Sequence, residues 1–165
     1  MMKIIRLILL LSVFHIQACT RDKETNNLEK YLQSFNKNIN DYKVICFVPV
    51  DGCGSCINPS LTYARDARED YLLVMTSMFR KSIDNTIERV QIMNNNYISD
   101  PENIGQQKGL VTPFAPCYYF LRLGEVIKKY DLAQTGNKSE ILNEVERFFV
   151  AEDRYMKELE DISGV

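Results

Sequence analysis

The sequence predicts an α/β domain: a central mixed sheet flanked by helices, with an amphipathic helix before it and a long helix closing it. Three observations lead there. Apolar runs of strand length, rich in β-branched and aromatic residues, fall at residues 42–48, 71–76 and 117–121. Between and around them, apolar residues recur at helical spacing. The chain of 165 residues is 45% hydrophobic and 25% charged, an ordinary globular balance with length for a full core.

The elements follow in order. Leu28, Tyr31, Leu32, Phe35 and Ile39 share a helical face, and Asn40-Asp41 breaks it. Residues 42–48 form a buried strand that ends at Asp51-Gly52. A helix begins at or near Cys53 and runs to about Asp70. Pro59 either kinks it or sits in the first turn of a second helix capped by Asn58. After the strand at 71–76, Ile83, Ile87 and Val90 have helical spacing, with Ser82 as cap and the asparagines at 94–96 as terminator. Tyr97-Ile98 is a short strand and residues 100–103 a turn. Residues 117–121 and 126–130 form a hairpin about Gly124. Asn137 opens a capping box with Glu140, and Ile141, Val145, Phe148, Phe149, Met156 and Leu159 trace the face of the closing helix.

The first residues stand apart from this fold. Lys3 and Arg6 precede an apolar run from Leu7 to Ile16, interrupted by Ser12 and His15. It is shorter than the roughly 20 apolar residues that span a bilayer, and it has the build of a secretory signal peptide. It ends in Ile16-Gln17-Ala18-Cys19, which resembles a bacterial lipobox, whose cysteine is the lipid-bearing first residue of the mature chain. Residues 1–18 are then the signal peptide, 19–27 a polar tether and 28–165 the domain. The location implied is the bacterial cell envelope, lipid-anchored through Cys19, on the periplasmic or outer-membrane face.

Cleavage before Cys19 takes Lys3 and Arg6, and moves the net charge from −2 to −4. It also takes His15, the only histidine. A Ser-His-Asp triad, a Cys-His dyad and histidine-dependent zinc sites are thereby excluded. The acidic balance gives nucleic acid no support as a partner, and the phosphate-binding glycine loops are absent. What remains is thiol and carboxylate chemistry. In an oxidising or mixed compartment, Cys46, Cys53, Cys56 and Cys117 allow three full pairings, among which the sequence does not choose.

Cys53-Gly54-Ser55-Cys56 stands directly after a buried strand, where a helix begins. A helix N-terminus offers free N–H groups and a positive dipole end, which stabilise a thiolate. The thiolate is the species that attacks a disulfide, and a second thiol three residues on lies within reach to resolve the adduct. Far downstream, Pro116-Cys117-Tyr118-Tyr119-Phe120-Leu121-Arg122-Leu123-Gly124-Glu125-Val126 resembles the thioredoxin stretch that starts at a cis-proline, passes a strand and a glycine corner, and returns. Pro113 fits that spacing less well.

Residues 42–130 together resemble the thioredoxin superfamily. The long connection from Cys56 to Pro116, with the lipid anchor, resembles its TlpA-like envelope lipoproteins. The resemblance implies a thioredoxin-like fold and a thiol–disulfide oxidoreductase, reductive or isomerising. Cys53 would be the nucleophile and Cys56 the resolving thiol. The Ala115–Pro116 bond would be cis, with the Ala115 backbone free to pair with substrate. Protein disulfides would be the substrates and a membrane electron donor the partner, with no cofactor and no metal. Cys117 is either a small apolar strand residue or a third thiol beside the pair, and Cys46 belongs to the core.

Two departures from the family pattern feed a second reading, a redox-inactive binding or scaffold lipoprotein with a structural disulfide. Gly52 stands where thioredoxins carry tryptophan, and Phe47 where they bury an acid. Asp51, close by, would raise the Cys53 pKa if its charge faced the sulfur. A peroxidase needs a threonine where Val50 stands.

Overall fold

The structure, a computed structural model, describes residues 22–92, 96–135 and 138–163. Cys19, and Asn137 of the expected capping box, lie outside the described residues. Helix α1 (Lys23–Gln33) leads through a 3-10 turn (Ile39–Asp41) into β1 (Val44–Pro49). Then come α2 (Gly54–Arg65), β2 (Tyr71–Thr76), α3 (Arg80–Val90), β3 (Tyr97–Asp100) and the single turn α4 (Ile104–Gln107). The hairpin β4 (Cys117–Arg122) and β5 (Glu125–Asp131) follows, then the short α5 (Leu132–Thr135) and the closing α6 (Lys138–Ser163).

The five strands form one mixed sheet in the order β3-β2-β1-β4-β5. β1, β2 and β3 are mutually parallel, while β4 runs antiparallel to both β1 and β5. The fold is therefore α/β with a mixed sheet flanked by helices, as the sequence predicts. β1 and β2 are buried along their whole length, which is why they read as unbroken apolar runs.

The strand order dictates the layers. The crossovers β1–α2–β2 and β2–α3–β3 step the same way across the sheet, so the right-handed rule puts both helices on one face. Ile57 and Leu61 of α2 and Ile83 of α3 indeed share a core with Val44, Cys46, Val48, Tyr118 and Phe120. Ile141, Val145 and Phe149 bring α6 onto the same face. Returning from β3 to β4, the chain must recross the sheet, and it does so over the other face. There Leu110 and Val111 join Leu28, Tyr31 and Leu32 of α1 against Ile45, Phe47, Val74, Cys117 and Tyr119.

Several boundaries differ from expectation. α1 begins at Lys23, inside the stretch expected as a tether. Thr25 is buried and its hydroxyl accepts from the Val126 amide at 3.0 Å, and Glu24 pairs with Lys129 at 2.7 Å. These bonds to β5 draw the start of the helix into the domain. α1 also ends earlier, at Gln33, and the buried Ile39 belongs to the 3-10 turn. α2 is continuous with Pro59 inside it and stops at Arg65. α3 starts at Arg80 after Phe79, and Gln91 ends it in the left-handed conformation, ahead of the asparagine run.

Candidate functional site

β1 and β2 end side by side, Pro49 opposite Thr76. The chain leaves β1 in a tight loop: Val50 N–H donates to the Thr76 carbonyl at 3.1 Å, and Gly52 N–H to the Pro49 carbonyl at 2.9 Å. Asp51 accepts a short hydrogen bond from the Ser77 hydroxyl, which itself accepts from the Phe79 amide at 2.8 Å. Next comes Cys53, the N-cap of α2, in extended conformation. Its carbonyl accepts from Cys56 N–H at 2.9 Å and Ile57 N–H at 3.0 Å. The two motif cysteines are thus one helical turn apart, Cys53 exposed and Cys56 half-buried, both as thiols.

Of the two motif thiols, Cys53 is the more exposed, and its surroundings favour the thiolate. Its Sγ lies 3.2 Å from the Ser55 hydroxyl. Burial, which would disfavour the charged form, counts for little at this exposed position. The Ser55 hydroxyl first, then the Cys56 side chain and amide, hold its pKa down to about 7 from an ordinary value of 9.0. Asp51, expected to oppose this, is occupied with Ser77, and the shift is downward.

The segment before β4 also reaches the motif, by a different residue from the one expected. Cys53 N–H donates to the Phe114 carbonyl at 3.1 Å. A Cβ on Gly52 would lie 2.7 Å from that same oxygen, so the absence of a side chain lets the two backbones meet. Among the described residues no peptide bond is cis, so Ala115–Pro116 is trans. This corrects the expectation of a cis bond; trans is the isomer that X–Pro bonds favour by roughly 0.5–1 kcal/mol. Ala115 is buried in the core beneath α2, and the Pro116 carbonyl accepts from Leu132 N–H at 3.0 Å. The residue that presents itself beside Cys53 is Phe114, 70% exposed. With Met78 and Phe79, also exposed, it brings apolar surface to this end of the sheet.

Cys117 is not a third thiol of the site. Side chains alternate along β4, and Cys117 shares the α1 face with Tyr119 and Leu121, whereas Tyr118 and Phe120 face α2. It is 1% exposed, and burial pushes its pKa well up. Cys46 is buried on the α2 face, its thiol pushed up to about 12 by burial. The two core cysteines thus lie on opposite faces of the sheet, and a four-thiolate cluster has no basis. Among the described residues no group of three or more His, Cys, Asp or Glu side chains converges to hold a metal ion.

Sequence reasoning missed three residues that shape this region. Ser55 was visible inside the motif, but its contact with the sulfur was not. Phe114 carried no local signal, because its role comes from a partner 61 positions away. Asp100 reads, from the sequence, only as part of a turn. It is fully buried and accepts from Tyr31 Oη at 3.1 Å, Ile104 N–H at 3.0 Å and Gly105 N–H at 2.8 Å, fixing the return toward β4.

No known protein family, curated protein or solved structure matches this chain.

Proposed function

We propose that the domain is thioredoxin-like and that it is a thiol–disulfide oxidoreductase acting on protein disulfides in the bacterial envelope, tethered through a lipid on Cys19. The observation that carries the reading is the state of Cys53: exposed, at the start of a helix, held near neutral ionisation, with a second thiol one turn behind. Supporting the fold reading is the arrangement β2-β1-β4-β5, with α2 leaving β1 at the motif and α6 packed on the same face. The trans Ala115–Pro116 bond departs from the family pattern.

The step balances without a cofactor. The Cys53 thiolate attacks one sulfur of a substrate disulfide; a Cys53–substrate bond forms and the other substrate sulfur leaves as a thiolate, which takes a proton from water. Cys56 then loses its proton, attacks the Cys53 sulfur and releases the second substrate thiolate. The substrate gains two electrons and the pair becomes a disulfide, which a dithiol donor at the membrane reduces again. Among the described residues no helix is long and apolar enough to cross a membrane. In this reading the anchor is the lipid on Cys19.

A protein-disulfide reduction assay with a dithiol reductant tests the proposal. Wild type turns over, Cys53→Ser does not, and Cys56→Ser accumulates mixed disulfides. Turnover that survives Cys53→Ser, or a wild type that neither turns over nor exchanges with glutathione, refutes it. One observation favours the second reading, a binding or scaffold lipoprotein: Phe47, fully buried, fills the place where thioredoxins keep an acid. In that case the pair forms a disulfide whose reduction lowers stability while no substrate is turned over.

A further inference from the structure

Ser55 is the second residue of α2, and its hydroxyl oxygen sits 3.2 Å from the Cys53 sulfur. With a protonated thiol, either group can donate. With a thiolate, only the hydroxyl can, and the bond becomes charge-assisted and stronger. In a Cys53–Cys56 disulfide the sulfur carries no charge and is a weak acceptor. The same contact is therefore worth most in the reduced, ionised state and least in the oxidised one. An interaction that favours the reduced form raises the reduction potential of the pair.

We propose that Ser55 is a positioning residue, whose hydroxyl holds the Cys53 sulfur as the attacking species and biases the pair toward its reduced form. Its effect on ionisation is independent of turnover; its effect on potential rests on the redox reading above. The bias moves the pair away from the strongly reducing end, toward the poise that suits exchange of substrate disulfides rather than their one-way reduction.

The test uses the full-length chain in detergent, with Ser55→Ala and Ser55→Thr. The pH profile of Cys53 alkylation by iodoacetamide, read by mass spectrometry, reports ionisation. Equilibration with glutathione above the thiol pKa reports potential. In Ser55→Ala the alkylation midpoint moves up from near 7, and the equilibrium shifts toward disulfide by up to about tenfold, which is about 30 mV for a two-electron couple. Ser55→Thr restores both, because it keeps the hydroxyl. An unmoved midpoint in Ser55→Ala overturns the proposal. So does a threonine variant that behaves like alanine, since that marks altered packing. If wild type forms no Cys53–Cys56 disulfide with glutathione, the redox reading falls and the bias with it, while the midpoint still decides whether Ser55 sets ionisation.

Discussion

Two glycines flank Cys53, and the structure gives them opposite predictions. At Gly52 an added Cβ would lie 2.7 Å from the Phe114 carbonyl oxygen, 3.1 Å from its carbonyl carbon and 3.1 Å from the Pro49 carbonyl oxygen. All three are backbone atoms, so no side chain can swing aside; the loop itself must move. The movement strains a packed region, at roughly 1–3 kcal/mol, and breaks the bond from Cys53 N–H to the Phe114 carbonyl, worth about 1 kcal/mol. Gly52→Ala should therefore destabilise by about 2–4 kcal/mol. At Gly54 a Cβ meets nothing within 4 Å, and the residue is helical. Gly54→Ala should instead stabilise by roughly 0.5–1 kcal/mol through the entropy of the unfolded chain. Urea unfolding of the reduced domains measures both, with the slope of the transition unchanged. A Gly52→Ala midpoint equal to wild type would refute the close approach of Phe114, and with it the account of why a glycine stands before Cys53.

Cys117 faces away from α2, so combining Cys117→Ala with Cys56→Ser should leave the yield of trapped mixed disulfides unchanged; trapping confined to the double variant would place Cys117 at the site after all. Asp100→Ala leaves the Tyr31 hydroxyl and two amides without their buried acceptor and should cost about 3 kcal/mol or more in urea unfolding, whereas Tyr31→Phe should cost about 1 kcal/mol; equal small losses would show that the carboxylate is not an anchor. Leu123 and Gly124 turn the β4–β5 hairpin with φ of 50° and 74°, and Leu123 is 66% exposed. Asparagine tolerates that conformation better than leucine, so Leu123→Asn should raise stability by about 1 kcal/mol, read as a higher melting temperature; a lower one would mean that the leucine side chain contributes packing.

The sequence by itself determined the class of the fold and the place of its exposed thiol pair at a helix start. β1, β2 and β4 were legible because strands buried on both faces must be apolar at every position. The closing helix was legible because one stripe of Ile141, Val145 and Phe149 meets the sheet. Cys53 and Cys56 were legible because strand, thiol pair and helix start are consecutive along the chain. Only the tertiary structure decided the rest. The short α4 has no periodicity to show, and it is held by a carboxylate on the preceding strand, Asp100. Whether Cys117 or Tyr118 faces α2 depends on which side of the sheet that helix covers, and a period of two cannot say which phase is which. The partner of the Cys53 amide is a carbonyl 61 residues away, brought there by the chain recrossing the sheet. Local spacing encodes what neighbouring residues do together, whereas a contact between distant backbone groups exists only once the sheet has fixed where each strand ends.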